Sequence, residues 1–192
     1  KGKGKTTILG GFSMTGKQNV KIENLTVSNR TGHGLNCDGS GATFDMMECS
    51  VSTCQFVGII VGGGATATAT RCDIAKNCYY GLVCGDAKTN VKFYDCTMHD
   101  NGIDGLYAVD YAVVDLHGTK TDIHSNNNNG IYAFRNAKIN IHLPSQHNTS
   151  HGNVKGEYSG EDRKEREGGS IANINADGTF THFEEFNEFN DY

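Results

Sequence analysis

Apolar and polar residues alternate along this chain in short runs, and the runs recur at a nearly fixed interval. A glycine-led marker reads Gly34-Leu35-Asn36-Cys37, Gly58-Ile59-Ile60-Val61, Gly81-Leu82-Val83-Cys84, Gly105-Leu106-Tyr107-Ala108 and Gly130-Ile131-Tyr132-Ala133. The glycines stand 24, 23, 24 and 25 residues apart. Counted from each glycine, apolar residues fall at −14 and −12, at −9 and −7, and at +1 and +3. Position −14 holds Val20, Phe44, Ala67, Val91 and Leu116, and −12 holds Ile22, Met46, Ala69, Phe93 and Gly118. Position −9 holds Leu25, Cys49, Cys72, Cys96 and Thr121, and −7 holds Val27, Val51, Ile74, Met98 and Ile123.

Two-residue spacing points alternate side chains to one face, which is strand geometry. Three such pairs per repeat predict three short strands per coil. A period in this range means units that bury their apolar faces only against their neighbours. The predicted fold is all-β, a right-handed parallel β-helix of about six coils, with each column repeating every 4.8 Å or so. Leucine-rich and helical repeats fit poorly, because no helical arc or 3.6-residue period is present.

The turns keep the same register. Four places before the glycine stand Arg30, Cys54, Asn77, Asn101 and Asn126. Asparagine suits tight turns and, when stacked, predicts a side-chain amide ladder. The marker glycines are expected to take positive φ as the chain bends into the third strand. Gly11-Phe12-Ser13-Met14 ends an earlier coil. Ile139 and Ile141 open a sixth, with Asn153-Val154 at the marker position. The β-helix is thus expected over residues 1–154. Residues 155–169 are charged and are expected to form a loop or linker. Residues 170–192, with Ile171, Ile174, Phe180, Phe183, Phe186 and Phe189, are expected to cap the exposed last coil.

These columns, asparagine turns and glycine markers resemble the right-handed parallel β-helix of the pectin-lyase-like superfamily, in particular its short-looped carbohydrate-binding and sugar-hydrolase repeats. The resemblance covers about residues 6–154, and Lys3 to Gly11 resembles an early coil of such proteins. It implies a fold but not an activity, since the superfamily holds lyases, hydrolases, esterases, epimerases, phage spikes and binding modules.

Composition narrows the classes. Glycine is abundant at 25 and proline nearly absent at 1, as tight turns without a collagen period require. The net charge is −5 and the basic cluster is confined to Lys1, Lys3 and Lys5, so nucleic acid is not an expected partner. No apolar run approaches the roughly 18 residues of a membrane span, and no signal peptide is visible. The chain opens on Lys1 without Met, as a fragment or processed form does. The 7 cysteines are odd in number and mostly sit in inward columns, which reads as reduced core residues and favours an intracellular site. Sequons at Asn24, Asn29 and Asn148 leave secretion open. No paired cysteine spacing marks zinc, and no metal or other cofactor is expected.

Candidate chemistry lies on outward positions. On the second strand, His99, Asp122 and His124 should cluster, with Asp100 and Asp104 on the nearby turn. Carboxylates on neighbouring coils and an adjacent imidazole are the groups of acid–base glycoside chemistry. On the third strand, Tyr107 and Tyr132 stack as a platform for sugar rings. The loops between third and first strands span five to seven residues, too short for the clefts of β-helix enzymes. Uronate lyase chemistry would need an array of cations, but Arg30, Arg71 and Arg135 occupy different columns. An ice-binding array fails too, because position −13 reads Lys21, Asp45, Thr68, Lys92 and His117. The expectation is a non-catalytic module presenting a repetitive surface to a carbohydrate or protein partner. The alternatives are a carbohydrate-active enzyme using the Asp/His group, and a structural role in end-to-end assembly.

Overall fold

The computed structural model describes residues 6–144, 150–153 and 160–181. In chain order its strands are β1 (Thr6–Leu9), β2 (Phe12–Ser13), β3 (Val20–Glu23), β4 (Leu25–Ser28), β5 (Leu35–Asp38), β6 (Thr43–Met47), β7 (Ser50–Ser52) and β8 (Ile59–Gly62). They continue with β9 (Thr66–Thr70), β10 (Asp73–Ala75), β11 (Leu82–Cys84), β12 (Asn90–Tyr94), β13 (Thr97–His99), β14 (Leu106–Ala108) and β15 (Val113–His117). The last are β16 (Asp122–His124), β17 (Ile131–Phe134), β18 (Lys138–His142), β19 (Ser150–His151), β20 (Arg163–Arg166), β21 (Ser170–Ile174) and β22 (Phe180–Thr181). No helix occurs among the described residues, and so none is long and apolar enough to cross a membrane.

Every third strand pairs with its equivalent in the next coil, giving three sheets around one core. The first-strand sheet is β3-β6-β9-β12-β15-β18-β21, with β22 added at its end. The second-strand sheet is β1-β4-β7-β10-β13-β16-β19, and the third-strand sheet is β2-β5-β8-β11-β14-β17-β20. All pairings are parallel except β21 with β22. This is a β-solenoid of about six coils, as the apolar columns require. The inward columns are buried almost completely, from Val27 and Leu35 through Ile131 and Ile139.

The asparagine ladder forms and is longer than the sequence suggested. The side-chain amide of Asn77 donates to Oδ1 of Asn101 at 3.0 Å, Asn101 to Asn126 at 2.9 Å, and Asn126 to Asn153 at 2.9 Å. Each Oδ1 also accepts the backbone N–H of the preceding rung. A buried amide with both ends paired offsets its desolvation and fixes coil register. Asn153 is therefore a ladder residue and not the marker. The marker position falls to Asp162, because Ile131 pairs with Arg163. At the other end Asn29, not Arg30, sits in the ladder column: its carbonyl accepts from Gln55 as that of Cys54 accepts from Cys78.

Three further expectations are corrected. The marker glycines do not take positive φ. They are glycine because the next coil stacks on them: a Cβ on Gly81 would lie 2.6 Å from the carbonyl oxygen of Gly105 and 2.9 Å from Nδ2 of Asn101. In the fifth coil Val114 and Leu116, not Leu116 and Gly118, stack on Val91 and Phe93. The turn through Gly118, at φ 88, holds extra residues between the first and second strands, which shifts the glycine-based count. Finally, Arg163–Arg166 is not loop but β20, the third strand of the sixth coil, and Ser170–Ile174 stacks on β18 as a further first strand. Of the expected cap, Phe183, Phe186 and Phe189 lie outside the described residues.

All 7 cysteines are free, and only Cys78 is exposed. Cys49, Cys72 and Cys96 stack in one buried column, where Cys72 and Cys96 donate to strand carbonyls of Thr70 and Tyr94. Burial pushes the Cys84 thiol up to about 12, so it stays protonated and unreactive at neutral pH.

Candidate functional site

Three groups of outward side chains stand out, one on each sheet. On the second-strand face His99 pairs in register with His124, and His124 with His151. Their rings stack at 5.1 and 5.6 Å between centroids, with interplanar angles of 4° and 16°. His99 is held at both nitrogens, by Asp100 Oδ2 on Nδ1 at 2.8 Å and by Asp73 Oδ1 on Nε2 at 3.0 Å. Thr97 donates to the same Asp73 oxygen at 2.8 Å. His124 Nδ1 lies 3.0 Å from Ser125 Oγ, and Asp122 Oδ1 lies 3.1 Å from Nε2 of His151. Burial lowers the pKa of His124, and the neighbouring imidazoles of His99 and His151 add to this against the pull of Asp122.

The structure thus brings His99, Asp100, Asp122 and His124 onto one face, and adds Asp73 and His151. Asp104 is apart from them. It is buried in the turn before β14, where its Oδ1 accepts from Asn128 Nδ2 at 2.9 Å and from the backbone N and Nδ2 of Asn129, each at 2.8 Å. Burial raises its pKa in spite of these donors. Its geometry is that of a turn bridge between coils. The N-terminal part of the same face carries a concavity of about 630 Å³, lined by hydroxyls of Thr7, Thr26, Ser28, Ser52 and Thr53.

On the third-strand face Tyr107 and Tyr132 pair in register, with ring centroids 5.2 Å apart. Tyr80, from the turn before β11, stacks on Tyr107 at 5.5 Å and 23°. Phe134 extends the strip, 5.8 Å from Tyr132. Cations flank it: Arg135 lies 5.0 Å from the centre of Phe134 and Lys164 5.7 Å from that of Tyr132. Burial pushes the Tyr107 phenol up to about 12, so it remains a hydrogen-bond donor. Tyr80 and Phe134 were not expected here; the one lies in a turn and the other one step beyond the strand pair.

On the first-strand face Tyr94 stacks on His117 at 4.6 Å and 8°, and His117 on His142 at 3.9 Å and 18°. Asp115 Oδ1 accepts from Asn140 Nδ2 at 2.9 Å and contacts His142 Nε2 at 3.1 Å. This group was missed because the shifted count put His117 beside Lys92, whereas Asp115 holds that place. The matching Asp115-Leu116-His117 and Asn140-Ile141-His142 triplets could have revealed it.

Residues 10–181 match the family model described as a right-handed β-helix region. The chain belongs to the right-handed β-helix family. No curated protein and no solved structure matches it. Membership of the β-helix family establishes the scaffold and leaves the activity to be argued from the faces.

Proposed function

We propose that this β-helix is a non-catalytic carbohydrate-binding module that uses its third-strand face. The observation that carries the reading is the aromatic strip of Tyr80, Tyr107, Tyr132 and Phe134. Sugar rings present apolar C–H faces that stack on aromatic rings, while their hydroxyls need donors and acceptors. The strip offers both, at a pitch set by strand spacing. It is mounted on a rigid scaffold, which lowers the ordering cost of binding. The turns that follow β14 and β17 are short, residues 109–112 and 135–137. The test is a glycan array followed by titration of hits, with tyrosine emission as readout, since the chain has 8 Tyr and no Trp. Absence of any glycan hit, or hits unaffected by Tyr107→Ala and Tyr132→Ala together, refutes the reading.

A second reading is supported by one observation, the clamping of His99 between Asp73 and Asp100. A carboxylate-oriented imidazole is an arrangement used in acid–base catalysis. In that reading the chain hydrolyses, cleaves or epimerises a polysaccharide at the second-strand face. It requires product from a screen of neutral and uronate polysaccharides, lost in His99→Ala.

A further inference from the structure

The geometry points to a zinc-type divalent metal site on the first-strand face, formed by Asp115, His117 and His142. One ligand atom from each of the three lies within 4.8 Å of the others. The two imidazoles come from adjacent coils and stack nearly parallel at 3.9 Å, each with a ring nitrogen in reach of the other and of the carboxylate. The carboxylate already contacts one of them, 3.1 Å from His142 Nε2. An ion there would replace a weak imidazole–carboxylate contact by bonds of about 2.0–2.2 Å after a small turn of the rings.

The surroundings resemble a support shell. Asn140 donates to Asp115 Oδ1 and holds the carboxylate in place. Tyr94 packs flat on the far face of His117 and fixes that ring. Outer partners of this kind orient metal ligands and raise affinity. Two nitrogen donors and one oxygen suit Zn²⁺, Co²⁺, Ni²⁺ or Cu²⁺ and disfavour the hard cations Ca²⁺ and Mg²⁺. Three protein ligands on an outward face leave a fourth position for solvent. The site spans two coils and is independent of the aromatic strip.

The test is equilibrium dialysis of the untagged chain against ZnCl₂, with the exposed thiol removed as Cys78→Ser. Metal is measured by atomic emission, and Co²⁺ serves as a spectroscopic probe. One zinc per chain is expected. Affinity should fall by about tenfold or more in His117→Gln or His142→Gln, and by about tenfold in Asn140→Ala. The glutamine variants keep side-chain volume and polarity, and circular dichroism verifies their fold. His99→Gln with His124→Gln should leave binding unchanged. The proposal is overturned by no zinc uptake, by uptake that survives His117→Gln with His142→Gln, by loss in the His99/His124 pair instead, or by Ca²⁺ competing on equal terms.

Discussion

Asn153 donates its side-chain amide to Oδ1 of Asp162 at 2.8 Å, and Asp162 takes the backbone N–H of Asn153 as well. A carboxylate thus ends a ladder whose other rungs are amides, and it does so across an insertion in the sixth coil. An ionised carboxylate only accepts, so the ladder needs no further rung beyond it. Asn101 sits in the middle of the column, fully buried, accepting from Asn77 and donating to Asn126 and to the carbonyl of Ile74. Asn101→Ala leaves the buried N–H of Asn77 and Oδ1 of Asn126 short of partners. It should lower stability by about 3 kcal/mol, seen as a lower urea midpoint with unchanged slope. A shift within error would mean the ladder is incidental to register.

Space, not backbone angle, fixes the marker glycines, and this separates two classes of substitution. Gly81→Ala forces a methyl against the Gly105 carbonyl and should destabilise by about 1–3 kcal/mol. Lys76 is the reverse case: it holds φ 58 just before the ladder and is exposed. Lys76→Gly should be neutral or stabilising by up to about 1 kcal/mol, since glycine bears left-handed φ without strain but adds freedom to the unfolded chain. Thermal melts of the pair decide it; equal losses in both would contradict the assignment.

Much of the fold was legible because the inward columns obey one physical rule, alternation against a shared core. Cys49, Cys72 and Cys96 stack as their spacing implied. The count failed where a turn changed length, at Gly118 and again between Asn153 and Asp162, because an insertion leaves the strands in register while moving the marker. Asp104 was misplaced because sequence distance from His99 says nothing about which way a turn residue faces. Arg163, Glu165 and Asn173 occupy inward columns that are apolar elsewhere, and Arg163 donates to Asn173 at 3.4 Å. Polar inward residues hid the third strand of the sixth coil from a hydrophobic count.

Two of the stacked imidazoles, His124 and His117, make stability fall on acidification. His124 has a folded-state pKa below its ordinary value, chiefly through burial, and His117 likewise. The unfolded chain therefore binds more protons than the folded one in the window below about pH 6.5. Their contribution is whole above that value and is lost as pH falls toward the lower folded-state pKa. Around His124 the carboxylates of Asp122 and Asp100 oppose this shift, while His99 and His151 reinforce it. Urea midpoints should fall between roughly pH 7 and pH 5, and His124→Gln should flatten part of that slope. A midpoint that rises on acidification contradicts the sign.

The aromatic strip yields a graded expectation. Tyr107 contacts Tyr80, Tyr132 and Phe134, so it is central, whereas Tyr80 is terminal. For a glycan ligand, Tyr107→Ala should weaken binding by about 1–2 kcal/mol or more, and Tyr80→Ala by less, as central anchors outweigh rim contacts. Tyr107→Phe should retain most stacking and lose only the hydroxyl. Titration calorimetry separates these cases, and an equal effect of Tyr80→Ala and Tyr107→Ala would place the ligand elsewhere.

The C-terminal end carries the last expectation. β21 pairs on one side with β18 and on the other with the antiparallel β22, through Asn173 with Thr181 and Ile174 with Phe180. This reversal occupies the outer edge of β21, where a parallel strand of another molecule would otherwise add. The turn between them is closed by Asn175 and Thr179, with backbone and side-chain bonds both at 2.9 Å. Deleting residues 175–192 removes β22 and the turn but keeps β1 to β21, and with them every coil among the described residues. The truncated chain should form oligomers at high concentration and lose solubility, while its spectrum keeps the β signature. Ser170→Pro would perturb β21 itself and serves as a contrasting case, with lower stability but no templated growth. Light scattering that finds the truncated chain monomeric and equally soluble would remove the capping role from this segment.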